Sequence, residues 1–550
     1  MIKQNLVKTF ENSLKQNWNL PAFANYKEDA YSYAQVADKL VFLHHFFEKI
    51  GLKNEDKIAL FGKNTVNWAI TYLAAVTYGA VIVPILPDFK PDDLHHIVNH
   101  SESKLLFAAD SLFDDLDEAI MTKLDAVISL KDFSLLFGKK KAIKQNLLDS
   151  EKIYLEKYDE ILTPEKLNFK EIDNKELAAI IYTSGTTGFS KGVMLPHNSL
   201  ISNILFAQTY MPLNSGDTIV SFLPIAHVFG CTFEFLFPFA CGCFITFLGK
   251  TPSPKVLIKA FGEIHPRLIL SVPLVIEKIY KKQIKPKLSK PAVKFLLKLP
   301  ILKHRIYAKV NKTLTDVFGG NFREIVLGGA ALNEEVEKFL RDIKFRYTVG
   351  YGMTECGPLI SYAGWKTFKN ASCGKVVDNM VARIDSEDPQ NVIGEILVKG
   401  DNVMYGYYKN DDATKAAIDP DGWLHTGDLG VLDKDNFITI KGRSKSMILG
   451  SSGKNIYPEE LEARLNNLPY VQESIVVDRE SKLVGLVYPD MEAMDTDKIS
   501  EKELMKIMNE NKLKLNKTFP SYMAITKIEI YPEEFEKTPK RSIKRFLYSN

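Results

Sequence analysis

The chain has 550 residues, which is too many for one hydrophobic core, so it must be built from several structural units. Hydrophobic residues make up 45%, charged residues 25%, and the net charge is +3, an ordinary soluble balance that argues against a dedicated nucleic-acid binder. The opening "MIKQNLVKTFENSLKQNWNL" has no long apolar run, so it does not read as a signal peptide, and no uncharged apolar stretch of about 20 residues is present to span a bilayer.

From about residue 56 the pattern alternates. "KIALFG" reads as a buried strand, "NTVNWAITYLAAVTYG" as a helix and "AVIVPIL" as another strand. "KLLFAA", "DTIVSFLP", "CFITFLG", "RLILSVP" and "REIVLGG" repeat the apolar-strand signal, with helical segments between them. Strands that are apolar throughout and separated by helices predict parallel α/β sheets covered on both faces. After about residue 370, "GEILVKG", "GWLHTGDLGVL" and "NFITIKG" are short strands set between turn residues, which predicts a small antiparallel unit. A further pattern begins after Arg443: helix "YPEELEARLNNL", strands "ESIVVD" and "LVGLVYP", helix "EKELMKIMNENKLKL", strand "ITKIEIY". The expected fold class is therefore α/β. A large N-terminal domain of residues 1–444 would contain a β-rich part at 370–444, and a small, mobile α+β domain would span 445–550.

Cysteines number five, an odd count, with no zinc spacing; the C-x-C at Cys241 and Cys243 lies among Phe and Ala and reads as core. A reducing cytoplasm suits them. Lys278 to Lys312 carries twelve Lys or Arg and no Asp or Glu. This is either a solvated face or a peripheral contact with an anionic membrane, into which Phe295, Leu296, Leu297 and Ile301 would insert. Pro291 and Pro300 are expected to limit helices here to about two turns.

"IIYTSGTTGFSKGVM" runs from an apolar strand into Thr183, Ser184, Gly185, Thr186, Thr187, Gly188, Ser190 and Lys191. Glycines free backbone N–H groups to turn inward, hydroxyls add donors, and lysine adds charge. That composition suits a polyphosphate, although it is not the G-x-x-x-x-G-K-[ST] loop.

With this loop the sequence resembles the AMP-forming, adenylate-forming enzymes, a family that includes acyl-CoA synthetases, firefly luciferases and peptide-synthetase adenylation domains. The resemblance runs from about Phe23 to Tyr548, with the motifs in order. "FLPIAHVFG" carries His227, "LGGAAL" carries Gly328, Gly329 and Ala330, and "YGMTECGP" carries Tyr351, Gly352, Met353, Thr354 and Glu355. "GWLHTGD" carries Asp428, and "KGRSKSMILGSSGKNIYPEELE" carries Arg443, Lys445 and Gly453. The first and last of these look most like long-chain fatty acid–CoA ligases. The resemblance implies ATP, Mg²⁺ and CoA as cofactors and co-substrate. A fatty acid is the implied substrate, and an acyl carrier protein is an alternative acceptor. It places Mg²⁺ on Thr183 and Glu355, the β- and γ-phosphates on Thr186, Thr187 and Lys191, adenine against Tyr351 and the glycines, and ribose on Asp428 and Arg443. Lys445 falls at the family's hinge. The apolar run after His227 reads as part acyl wall and part core, with only its first turn touching substrate.

The end of the chain departs from the family. The last motif ends in Gly-Lys-x-x-Arg, and "KTPKRSIKR", aligned on Arg545, places Arg541 at the glycine and Ser542 where the lysine belongs. Serine cannot supply the charge, so Lys544 is the first substitute and Lys540 the second. Otherwise the protein is a poor ligase, or one that binds acyl-adenylate without making it. Ser190, where the family has proline, is a second departure.

Overall fold

The computed structural model describes residues 2–157, 162–183, 191–249, 253–449, 455–480, 482–538 and 543–548. Strands Lys57–Phe61, Val81–Ile85, Leu105–Ala108 and Ala126–Ser129 pair in parallel, and Leu177–Thr183 joins beside Val81–Ile85. Their residues are buried almost without exception, because helices cover both faces. The connecting helix Val66–Tyr78 starts where the Thr65 side chain accepts from the Trp68 N–H. It ends at Gly79, whose φ is +94°; a Cβ there would come within 2.2 Å of Asn54 Oδ1. Three antiparallel strands complete this eight-stranded sheet: Leu135–Gly138 at one edge, then Lys191–Pro196 and Gly406–Tyr407 at the other.

A second sheet pairs Thr218–Ser221, Phe244–Phe247 and Pro21–Asn25 in parallel. Its aromatic core is shared with the first: Phe23, Phe233, Phe235, Phe237 and Phe239 are all buried. A third parallel sheet consists of Ile269–Ser271, Ile325–Leu327 and Tyr347–Val349. The antiparallel unit follows as expected, with strands Met380–Asp385, Gly394–Gly400, Leu424–Leu432 and Ile438–Arg443.

Beyond the turn Ser444–Ser446, the chain builds its own sheet from Val471–Arg479, Lys482–Pro489 and Lys527–Ile530. Helices Pro458–Leu465 and Glu501–Asn516 cover one face, and their core is separate from the rest. This unit meets the larger one through polar groups: Arg464 with Glu334 at 2.7 Å, Lys281 with the Asn466 carbonyl at 2.7 Å, and the pairs Lys282–Glu492 and Asn333–Asn467.

The helical reading of the basic stretch needs correction. The six-residue helix Pro291–Leu296 is short, as expected, but Pro300 opens an 18-residue helix, Pro300–Val317. Both prolines occupy first-turn positions, where the missing N–H would have had no partner and the fixed φ is already helical.

Candidate active site

Strand Leu177–Thr183 returns antiparallel as Lys191–Pro196, with Thr183 opposite Lys191. The connecting Ser184, Gly185, Thr186, Thr187, Gly188 and Ser190 lie outside the described residues, as do Gly453 and the segment 539–542 with Lys540 and Ser542. The Thr183 hydroxyl donates to the Lys191 carbonyl at 3.5 Å, so both residues stand at the same end of this ladder. Gly406–Tyr407 pairs with Lys191–Pro196 on its other side and turns Tyr407 toward that end.

Tyr407 joins two of the expected residues. Its hydroxyl donates to Glu355 Oε1 at 2.9 Å, and the Lys191 ammonium lies 4.8 Å from its ring centroid. Burial and then the Glu355 carboxylate push the Tyr407 phenol above its ordinary range, so it keeps its proton and donates. Glu355 is further fixed because its backbone carbonyl accepts from the Met404 N–H at 2.8 Å. The sequence reading missed Tyr407. Its signal was a Gly-Tyr pair in "MYGYYKN", where Gly406 has φ +138° and a Cβ would come within 2.5 Å of Thr414 Cγ2.

The group around Asp428, expected at the ribose, is more closed. Asp428 is 4% exposed, on a strand directly opposite Arg443. Its Oδ1 lies 3.0 Å from Arg443 Nε, and its Oδ2 accepts from the Tyr351 hydroxyl at 2.7 Å. Burial raises the Asp428 carboxyl above the usual aspartate range, with Arg443 and the Tyr351 hydroxyl pulling it back. Tyr351 is itself buried, and the next residue must be glycine: a Cβ on Gly352 would sit 2.2 Å from the Pro358 carbonyl. Met353 follows half-buried and donates its N–H to the same carbonyl; Thr354 is buried.

His227 and the "LGGAAL" turn come together through Phe229. The His227 ring accepts from the Phe229 N–H at 3.3 Å, and the Phe229 ring packs so closely on Gly328 that a Cβ there would be 3.0 Å from its Cζ. Gly329 takes φ +82°, and Ala330 is exposed beside it. Behind this loop, Glu234 on the π-helical turn Cys231–Leu236 accepts from the Phe222 and Leu223 N–H groups, both at 2.9 Å. Asn64 accepts from the Ile225 N–H at 3.1 Å. Two buried side chains thus fix the backbone leading to His227. Phe233 to Phe239 point into the core, and Cys243 is buried with them.

The C-terminal cations stand elsewhere. Lys544 pairs with Glu536 at 2.5 Å. Lys537 pairs with Glu473 at 2.6 Å, and Arg545 pairs with the buried Glu462. Among the described residues, no hydrogen bond or ion pair joins Lys544 to Lys191, Glu355 or Asp428. Lys445 is exposed on the turn between the two units.

Residues 10–408 match the AMP-binding enzyme family. The chain is 30% identical over 475 residues to the long-chain-fatty-acid–CoA ligase FadD15 of Mycobacterium bovis, covering 81% of this chain and 75% of that protein. It is 27% identical over 560 residues to the long-chain-fatty-acid–[acyl-carrier-protein] ligase AEE15 of Arabidopsis thaliana, covering 86% and 74%. Its fold matches ATP-bound MatB from Rhodopseudomonas palustris with a TM-score of 0.75 at 23% identity, over 99% of this chain and 98% of that one. The ordered motifs, the assembled Lys191–Tyr407–Glu355 and Tyr351–Asp428–Arg443 groups and these matches have one reading: the chain belongs to the AMP-binding enzyme family of adenylate-forming enzymes.

Proposed function

We propose that this protein activates a long-chain fatty acid with ATP, forming an acyl-adenylate and pyrophosphate, and then passes the acyl group to CoA with release of AMP. The single observation that carries this reading is the Tyr407 bridge, which holds a cation and a carboxylate together beside the Ser/Thr/Gly-rich segment. Both reactants of the first step are anions, so a fixed cation lowers the barrier by meeting charge that develops there. Lys191 supplies that charge to the phosphates. Glu355 and Thr183 are both half-buried, hard-oxygen groups at the same end of the ladder, a donor set that fits Mg²⁺. When bound, Mg²⁺ neutralises phosphate charge. Asp428 accepts the ribose hydroxyls on the acceptor sites that Tyr351 and Arg443 leave on its two oxygens, and the His227 loop borders the acyl carboxylate.

Lys544 takes the role of the lysine absent at Ser542. What favours it is the weakness of its present tie: Glu536 is an exposed partner on the surface, an ion pair that water screens and that is easily exchanged. The chain divides at Lys445 into domains 1–444 and 445–550. The polar contacts between them suit a small domain that rotates for thiol transfer. A reducing, cytoplasmic setting suits the five free cysteines. Among the described residues no helix is long and apolar enough to cross a membrane.

Two other readings have support. An acyl carrier protein presents the same thiol as CoA, and one relative is named for that acceptor. A protein that only binds acyl-adenylate or carries out thiolation follows if nothing replaces the lysine at Ser542. ATP–pyrophosphate exchange with palmitate separates enzyme from binder: exchange is expected, and its absence refutes the first step. Trials of CoA against carrier protein then choose the acceptor. Lys544→Ala should abolish exchange and spare thiol transfer from supplied acyl-adenylate, whereas Ser542→Lys should add little. Exchange at the native level in Lys544→Ala would transfer the role to Lys540.

A further inference from the structure

The basic stretch divides into two parts that the sequence does not separate. Its first part is structural. Lys281 donates to the Asn466 carbonyl, Lys282 pairs with Glu492, and Lys285 pairs with Glu335 at 2.8 Å. These cations tie the arm Pro273–Leu288 to the small domain and to the helix Glu334–Asp342.

The second part forms a tip. After the arm, the chain turns through Pro291–Leu296 and returns along Pro300–Val317. Lys287, Lys290, Lys294, Lys298 and Lys303 are all exposed here, and among the described residues none pairs with an acid. Between them, Phe295 is 65% exposed, Ile301 74%, Leu299 44% and Leu296 37%. Leu297, expected to insert with them, is half-buried instead. A folded protein gains nothing in water from a cluster of exposed large apolar side chains ringed by unpaired cations.

We propose that this tip, residues 287–303, docks on an anionic membrane surface. Phe295, Leu296, Leu299 and Ile301 enter the headgroup boundary, while the surrounding lysines meet lipid phosphates. The combination selects the occupant. A nucleic acid would use the lysines but leaves Ile301 and Leu299 in water, whereas a bilayer interface takes both. The proposal does not rest on the identity of the acid or the acceptor thiol.

Flotation of the full chain with vesicles tests it, using phosphatidylcholine alone against phosphatidylcholine mixed with phosphatidylglycerol. The native protein is expected to float only with the anionic vesicles. Lys294→Glu/Lys298→Glu/Lys303→Glu should weaken that partitioning on the order of 100-fold, because each cation near the surface contributes. Phe295→Ser/Ile301→Ser keeps every charge and should still weaken it about tenfold, through lost apolar burial. Both variants should keep the native melting temperature and pyrophosphate exchange with a soluble short-chain acid. Equal binding to neutral and anionic vesicles would overturn the proposal. So would native-level flotation of the Phe295→Ser/Ile301→Ser variant, or duplex DNA binding tighter than vesicle binding and unchanged in that variant.

Discussion

The two ends of the proposed nucleotide site are built differently. At the nucleoside end, Asp428 is buried, and both its oxygens already have partners, Arg443 on the adjacent strand and Tyr351 from another sheet. At the phosphate end, Lys191 and Glu355 are half-buried, and a single tyrosine ring links them. A ribose arrives and leaves with the same shape, so its receptor can be rigid. The phosphates change during the reaction, since pyrophosphate departs and AMP remains, so the groups that hold them must be able to let go. Rigidity at one end and looseness at the other match what each end has to do.

Mutations at the loose end should have the largest effects, because charge changes there. Lys191→Ala and Glu355→Gln are each expected to reduce pyrophosphate exchange on the order of 100-fold while the circular dichroism spectrum and melting temperature stay native. Unchanged exchange in either variant would remove its assigned role. Next comes Asp428→Ala, which should raise the KM for ATP about tenfold and change kcat little, since the ribose is held alike before and during reaction. A drop in kcat with KM unchanged would show that the rigid end takes part in the chemistry. Tyr407→Phe, which keeps the ring under Lys191 and loses only the hydroxyl, should cost about three- to tenfold. If Tyr407→Phe matched Lys191→Ala, the hydroxyl would be doing more than holding Glu355.

The smallest effect is one of pH. Burial raises the Asp428 carboxyl, so its proton returns at a higher pH than on an exposed aspartate. Accepting ribose hydroxyls needs the ionised form. ATP affinity is therefore full above that raised value and falls as pH drops through it. Folding responds with the opposite sign, because an acid raised in the folded state stabilises the fold when protonated, and that contribution is lost as pH rises through the raised value. Titrating KM for ATP and melting temperature together should show both rising as pH falls, affinity weakening while the fold gains, and Asp428→Asn should flatten both. A pH profile of KM identical in native protein and Asp428→Asn would exclude Asp428 as its source.

Much of the fold was legible because burial leaves a mark on composition. Val81–Ile85 and Leu105–Ala108 are uninterrupted apolar runs because helices cover both faces of their sheet. The helix Pro300–Val317 was misread because proline was treated as a stop, when its effect depends on whether it opens a helix or interrupts one. In the site, residues inside fixed-order motifs could be named in advance. Tyr407 was not among them, since it meets Glu355 across 52 positions and lies outside the motifs named above. The basic stretch likewise read as one block; only the pairing of Lys282 and Lys285 with acids far along the chain separates struts from tip.

Arg545 and Tyr548 bear on how the chain can be handled. Tyr548 packs edge-on against Tyr531 and Phe535 with ring centroids 5.2 Å away, and its oxygen accepts from the Glu536 N–H at 2.7 Å. Together these aromatics cover the face of the small sheet that carries Ile475, Val477, Val484 and Leu486, while Arg545 neutralises Glu462 beneath it. Trimming the chain by even half a dozen residues would therefore remove Arg545 and Tyr548, bare an apolar sheet face and strand a buried acid. A nicked or shortened preparation should clump before it shows any change in catalysis. Enzymology of this terminus is better done by single replacements, with purification handles fused to the other end.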